Sequence, residues 1–206
     1  MRAVAASLGV APGAIVQVHQ VHGREIVEVR EGAAVTGDHG DVLICTAPRR
    51  AVGVRTADCV PLLLADDSGR TVAAIHAGWR GVAARAAIYA VDRLQHHVGI
   101  RPERLVAAIG PSIGPCCYEV SDDTRDAFRA QGHASALVED WFRPTAAGRY
   151  HLDLWRAVRD QLEGAGLMTA HIFTSELCTM THGGTFFSYR REKEQARRLG
   201  AFIRCR

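Results

Sequence analysis

The chain has 206 residues, 48% hydrophobic and 23% charged, with 25 Lys and Arg against 22 Asp and Glu for a formal charge of +3. This is ordinary globular composition, and the length suffices for one sizeable core. No apolar run reaches the roughly 18 residues of a membrane span, and the densest basic run, Arg190 to Arg198, is interleaved with Glu192 and Glu194, unlike the uncompensated stripe of a nucleic-acid binder. We therefore expect one domain over 1–206, with no membrane and no nucleic-acid partner, and as a monomer or homodimer. The start carries Arg2, but its apolar part is broken by Gly9, Pro12 and Gly13, so it does not read as a signal peptide. Six cysteines without a CxxC pair point to reduced thiols and a cytoplasmic location.

In chain order, Arg2 to Leu8 reads as a helix closed near Gly9. Ala14 to Val18, Ile26 to Val29, Val42 to Cys45 and Ala51 to Val54 read as short strands, with a Gly- and Asp-containing loop over Glu31 to Asp41. Val60 to Ala65 is a continuous apolar run that ends in Asp66-Asp67-Ser68-Gly69, and Thr71 to Ile75 returns from it; this is a hairpin buried on both faces. After His76-Ala77-Gly78-Trp79-Arg80-Gly81 a helical pattern runs to about His97, stopped by Gly99. Leu105 to Ile109 is the next strand and leads into the Gly- and Pro-rich loop Gly110 to Pro115. Helices are expected at Asp122 to Ala130 and Leu152 to Leu162, and strands at His171 to Thr174, Phe186 to Tyr189 and Ala201 to Arg204. Alternating strands and helices with a hairpin among them give an α/β fold with a mixed sheet. The strand-following GxGxxG, the GxxxxGK[ST] loop and HExxH are all missing.

Three segments place a metal-ligating side chain beside a strand: Gln20-Val21-His22-Gly23, Thr56-Ala57-Asp58-Cys59 and Ile75-His76-Ala77. The hairpin brings Cys59, which enters it, to His76, which leaves it; His22 has to arrive from elsewhere. Two imidazoles and a thiolate suit Zn2+ and leave a fourth position open, the catalytic arrangement; Cu2+ would accept the same ligands. Asp58 is a candidate acceptor behind a ligand. The alternatives at this point are a small buried Cys59 beside a hydrogen-bonded core histidine, or Cys59 as a nucleophile activated by His76. Arg80, at a helix start between Gly78 and Gly81, is a candidate anion and phosphate group, with Arg55 and Arg49 less specific. In Gly110 to Glu119, Cys116 and Cys117 are expected to point in different directions, one of them into the core.

These segments, together with Gly110-Pro111-Ser112-Ile113-Gly114-Pro115-Cys116-Cys117-Tyr118-Glu119-Val120 and Phe186-Phe187-Ser188-Tyr189-Arg190-Arg191, stand in the order of the bacterial laccase-domain family, which the chain resembles over nearly its whole length. In older annotation the family is called multicopper polyphenol oxidase; it is now described as purine nucleoside phosphorylase, with one bacterial member implicated in peptidoglycan editing. The resemblance implies a three-layer α/β/α sandwich with a mixed β-sheet and one catalytic zinc on His22, Cys59 and His76. It implies phosphorolysis of adenosine, inosine and guanosine to base and ribose 1-phosphate, with adenosine deaminase and methylthioadenosine phosphorylase activities alongside. The catalytic set is then Asp58, Cys59 and Arg80, with Arg80, Ser112 and Gly114 on substrate or phosphate. Against the family pattern the chain is short at its N-terminus, and Ala196-Arg197-Arg198 stands where the family has Gly-Arg. Three other functions compete: a cysteine hydrolase or amidase acting on a peptidoglycan precursor, a copper-dependent polyphenol oxidase, and a zinc-stabilised binding module. Ten scattered histidines poorly supply the several copper centres of an oxidase.

Overall fold

The computed structural model describes residues 1–206. In chain order its elements are α1 (Arg2–Leu8), β1 (Ile15–Val16), β2 (Ile26–Val29), β3 (Val42–Cys45), β4 (Ala51–Thr56), β5 (Val60–Asp66), β6 (Val72–Ala77), α2 (Trp79–Ala83), α3 (Ala86–Val98) and β7 (Leu105–Ile109). The second half holds β8 (Glu119–Val120), α4 (Asp122–Ala130), α5 (Ser135–Trp141), β9 (Phe142–Pro144), β10 (Tyr150–Leu152), α6 (Leu154–Gly164), β11 (Ile172–Thr174), α7 (Tyr189–Glu192) and β12 (Leu199–Arg204). No helix is long and apolar enough to cross a membrane.

The central sheet has six strands in the order β11-β7-β5-β6-β3-β2. Its β11–β7 and β2–β3 pairs are parallel, and the β7–β5, β5–β6 and β6–β3 pairs are antiparallel, so the sheet is mixed, as expected. The hairpin read from the sequence is β5–β6, with Pro61 opposite His76. Strand alternation sends Val42, Ile44, Leu62, Leu64, Ala73 and Ile75 to one face, where α2, α3 and α6 cover them in the larger core. Leu43, Cys45, Val72 and Ala74 go to the other face. The layer there is a second sheet, β1-β4-β12, which packs Val52, Val54 and Cys205 against them. Because both faces of the centre are covered, β3 and β6 are buried at every residue. Fully buried side chains such as Leu62, Leu64 and Ile75 each contribute about 1.5–3 kcal/mol of apolar burial.

Local details follow their residues. Gly9 and Gly99 close α1 and α3 in the left-handed conformation that glycine adopts without cost. The helix expected after HAGWRG is interrupted at Arg85, whose φ of 62° ends α2 and opens α3. Phe186 to Tyr189 forms no strand: the buried Ser188 hydroxyl accepts from the Arg191 N–H and caps α7. The small antiparallel sheet β8-β10-β9 and helix α5 lie where no strong periodicity marked them.

Candidate metal centre and its cleft

The three segments singled out by residue type converge. The ligand atoms of His22, Cys59 and His76 lie within 4.8 Å of one another. His22 and His76 meet edge to face at a ring separation of 4.8 Å. His76 is the last but one residue of β6 and is buried; Cys59 stands immediately before β5 and is half-buried; His22 is exposed on its loop. His22 and Asp58 both hold positive φ, 61° and 88°, conformations that cost a non-glycine residue about 1 kcal/mol or more and persist only where neighbours enforce them.

Asp41 enforces the first. Fully buried just ahead of β3, its carboxylate accepts the backbone N–H groups of Val21, His22 and Gly23 at 3.2, 3.0 and 2.7 Å. The same carboxylate lies 2.7 Å from Nδ1 of His76. An Nδ1–H donated to Asp41 leaves Nε2 of His76 with its lone pair, the tautomer a metal needs. Asp41 thus sets the chain path of one ligand and the tautomer of another. These hydrogen bonds and the His76 charge outweigh burial and hold the carboxyl below its ordinary range. In the sequence Asp41 ends a Gly- and Asp-containing loop, and its one signal there is a carboxylate directly before a wholly apolar strand.

The acceptor role considered for Asp58 falls to Asp41. Asp58 accepts instead from the Thr179 hydroxyl at 2.6 Å and from the Arg190 N–H at 2.6 Å, while its carbonyl takes the Ile113 N–H at 2.9 Å. It ties the turn carrying Cys59 to the loops around residues 113, 179 and 190. Gln20 ties the other ligand loop to β4: its side-chain amide exchanges two hydrogen bonds with the Arg55 backbone, at 2.7 and 2.8 Å.

Gly78 explains one glycine of HAGWRG. A Cβ there would sit 3.0 Å from Sγ of Cys59 and 3.2 Å from the His22 ring, so only glycine lets the start of α2 pass this close to two ligands. The electrostatics favour an ion. Burial pushes the Cys59 thiol up, but hydrogen bonding and charge from His22 and His76 bring it down to about 7. Burial pulls His76 down, yet Asp41 and the Cys59 sulfur raise it to about 9. A lowered thiol beside a raised imidazole marks a sulfur and a ring nitrogen that compete for protons, which a bound cation would replace.

The trio forms one wall of a cleft of about 700 Å³ also lined by His19, Gln20, Arg55, Thr56, Tyr189 and Arg198. Arg80 is exposed, with its guanidinium 4.3 Å above the Trp79 ring, outside the cleft's lining. Ser112 and Gly114 are buried and occupied. The Ser112 hydroxyl accepts from Nε1 of Trp155 at 2.6 Å and its N–H donates to Leu177, while the Gly114 N–H donates to the Cys178 sulfur at 3.3 Å. Their donors hold the loop together. Cys116 and Cys117 do not diverge as expected. The turn closed by Tyr118 and Cys117 N–H groups on the Gly114 carbonyl brings their sulfurs to 3.5 Å. Arg190 places its guanidinium over the Tyr118 ring and donates to the Glu119 carbonyl.

Comparison with known proteins gives one consistent set. The model of the family described as multi-copper polyphenol oxidoreductase laccase matches residues 1–206. A purine nucleoside phosphorylase of Deinococcus radiodurans is 38% identical over 200 residues, covering 97% of this chain and 74% of the relative. Purine nucleoside phosphorylase YfiH of Escherichia coli is 34% identical over 193 residues, covering 93% and 74%. Among solved structures, YfiH of Bacillus licheniformis, described as a hypothetical protein, superposes with a TM-score of 0.91 at 31% identity, covering 99% of this chain and 79% of that one. YlmD of Geobacillus stearothermophilus superposes at 0.89 with 36% identity, covering 100% and 78%.

Proposed function

This chain belongs to the multi-copper polyphenol oxidoreductase laccase family, and we propose that it acts as a zinc-dependent purine nucleoside phosphorylase, splitting adenosine, inosine and guanosine with phosphate into base and ribose 1-phosphate. Adenosine deamination and methylthioadenosine phosphorolysis are proposed with it. One observation carries the reading: two imidazoles and a sulfur, drawn from three distant segments, stand within 4.8 Å of one another on the wall of a basic cleft large enough for a nucleoside. The relatives named as purine nucleoside phosphorylases support the substrate class.

The donor set fits zinc. Nε2 of His76, a nitrogen of His22 and the Cys59 sulfur would hold it, and Asp41 keeps His76 in the ligating tautomer. Bound there, zinc supplies Lewis-acid polarisation of a substrate oxygen or water. The rest falls to the chain's own groups. We assign the phosphate to Arg55 and Arg198, which line the cleft, with Arg80 of the adjoining α2 start as a third cation outside that lining, and not to Ser112 and Gly114, whose donors are engaged elsewhere. Their task is to hold the anion against the anomeric carbon, where orientation is worth more than any added contact. The departing purine needs a proton, and the His19 imidazole lines the same cleft. Asp58 acts by position, holding the Cys59 turn against Thr179 and Arg190.

The test is product analysis with adenosine, inosine and methylthioadenosine, each with and without phosphate, on metal-quantified protein. Phosphate-dependent release of base is expected, with loss of both metal and activity in Cys59→Ala. A Cys59→Ala protein that keeps its metal and its full rate overturns the reading. So does copper-dependent phenol oxidation with dioxygen uptake in place of phosphorolysis.

A further inference from the structure

A second cluster lies outside the His22, Cys59 and His76 set. The sulfurs of Cys116, Cys117 and Cys178 are all within 4.8 Å of one another, and those of Cys116 and Cys117 are 3.5 Å apart. All three cysteines are free. Cys116 is exposed, Cys117 half-buried and Cys178 buried. Two features of the backbone assemble them. In an extended chain two successive side chains point to opposite sides; here the turn on the Gly114 carbonyl puts both on one side. The third sulfur arrives through the bridge between Ser112 and Cys178, held by the Ser112 N–H on Leu177 and the Thr179 N–H on Ser112. The Gly114 N–H then donates to the Cys178 sulfur.

We propose that Cys116, Cys117 and Cys178 form a second metal site, for a thiophilic d10 cation, Zn2+ or Cu+. Thiolates select these ions over harder ones. An ion held at about 2.3 Å by sulfurs in tetrahedral array separates them by about 3.8 Å, close to the 3.5 Å between Cys116 and Cys117 and inside the 4.8 Å that bounds all three. A bonded pair would require about 2.0 Å and a Cα separation that neighbours do not offer. The exposed Cys116 gives the entry path. On binding, each thiol forms a sulfur–metal bond and releases its proton to solvent. Part of the excess negative charge that remains is met by the Gly114 N–H, which donates to the Cys178 sulfur.

The proposal does not depend on the nucleoside reading, and its test keeps the two apart. The phosphine-reduced, metal-stripped full chain is titrated anaerobically with Zn2+ and, separately, with Cu+. Two equivalents are expected for at least one of the ions, and the ion that delivers the second equivalent names the site's occupant. His22→Ala should keep the equivalent bound by sulfur alone. Cys116→Ser, at an exposed position where folding is not at stake, should lose that equivalent and keep the other. With Co2+ as a spectroscopic stand-in, the sulfur-to-metal charge-transfer absorption of the second equivalent should vanish in Cys116→Ser and again in Cys117→Ser. A His22→Ala chain that takes neither ion, or a Cys116→Ser chain that takes as many equivalents of each ion as the wild type, overturns the proposal whatever the phosphorolysis assay shows.

Discussion

Asp41 joins two members of the trio without belonging to it. One buried carboxylate answers three consecutive backbone N–H groups around His22 and the Nδ1 of His76. Asparagine has the same shape but offers one acceptor oxygen and turns an N–H pair toward donors, so buried groups lose partners at both ends. Asp41→Asn should weaken zinc binding about 10- to 100-fold, the usual effect of removing an acceptor behind a metal-bound histidine. Competition against a chelator of known affinity measures this. An unchanged affinity would mean that the three N–H contacts and the His76 tautomer are set by something other than Asp41.

At the scale of elements, the cleft depends on how closely the start of α2 passes the two loops that carry His22 and Cys59. Gly78 occupies that crossing, with the Cys59 sulfur 3.0 Å from where a Cβ would lie. Gly78→Ala should therefore displace ligands before it disturbs the core, because the residues packed by α2, Gly81, Val82 and Ala83, lie farther along the helix. The expected outcome is about 1–3 kcal/mol of overpacking strain accompanied by loss of bound zinc, read by calorimetry and metal analysis on the same preparation. A variant that loses stability and retains stoichiometric zinc would place the strain in the helix and not at the ligands. The β5–β6 hairpin carries the other two members of the trio: its register sets Pro61 against His76, and Cys59 stands just before the hairpin's first strand.

Across the whole molecule, the trio joins the loop before β2, the turn between β4 and β5, and the end of β6; the β5–β6 hairpin holds the last two together, and only the fold brings His22 to them. An ion that binds the folded chain and not the unfolded one stabilises it by mass action, about 2.7 kcal/mol when free metal is 100-fold above Kd. For a chain of this length that corresponds to roughly 5–10 °C in Tm. Removing metal with a chelator should lower Tm by that amount, and adding zinc back should restore it. In Cys59→Ala the chelator should have a smaller effect, read in the same melting experiment. Equal shifts in both proteins would locate the stabilising ion elsewhere.

Residue type and periodicity alone indicated the α/β class, the mixed sheet and the β5–β6 hairpin, and offered His22, Cys59 and His76 as one of several readings, which the family resemblance singled out. Each of these rests on a local signal: buried apolar runs bounded by turn residues, or ligating side chains at strand ends. Tertiary structure decided what depends on approach between distant segments. It assigned the acceptor behind His76 to Asp41 and gave Asp58 to Thr179 and Arg190. It used up the donors of Ser112 and Gly114 inside a loop, and it made the layer opposite the helices a second sheet. It also turned Cys116 and Cys117 to one side. The physical reason is the same throughout: a hydrogen bond or close contact between residues far apart in the chain leaves no periodic trace, because only the packed fold decides which of several chemically equivalent groups comes within about 3 Å.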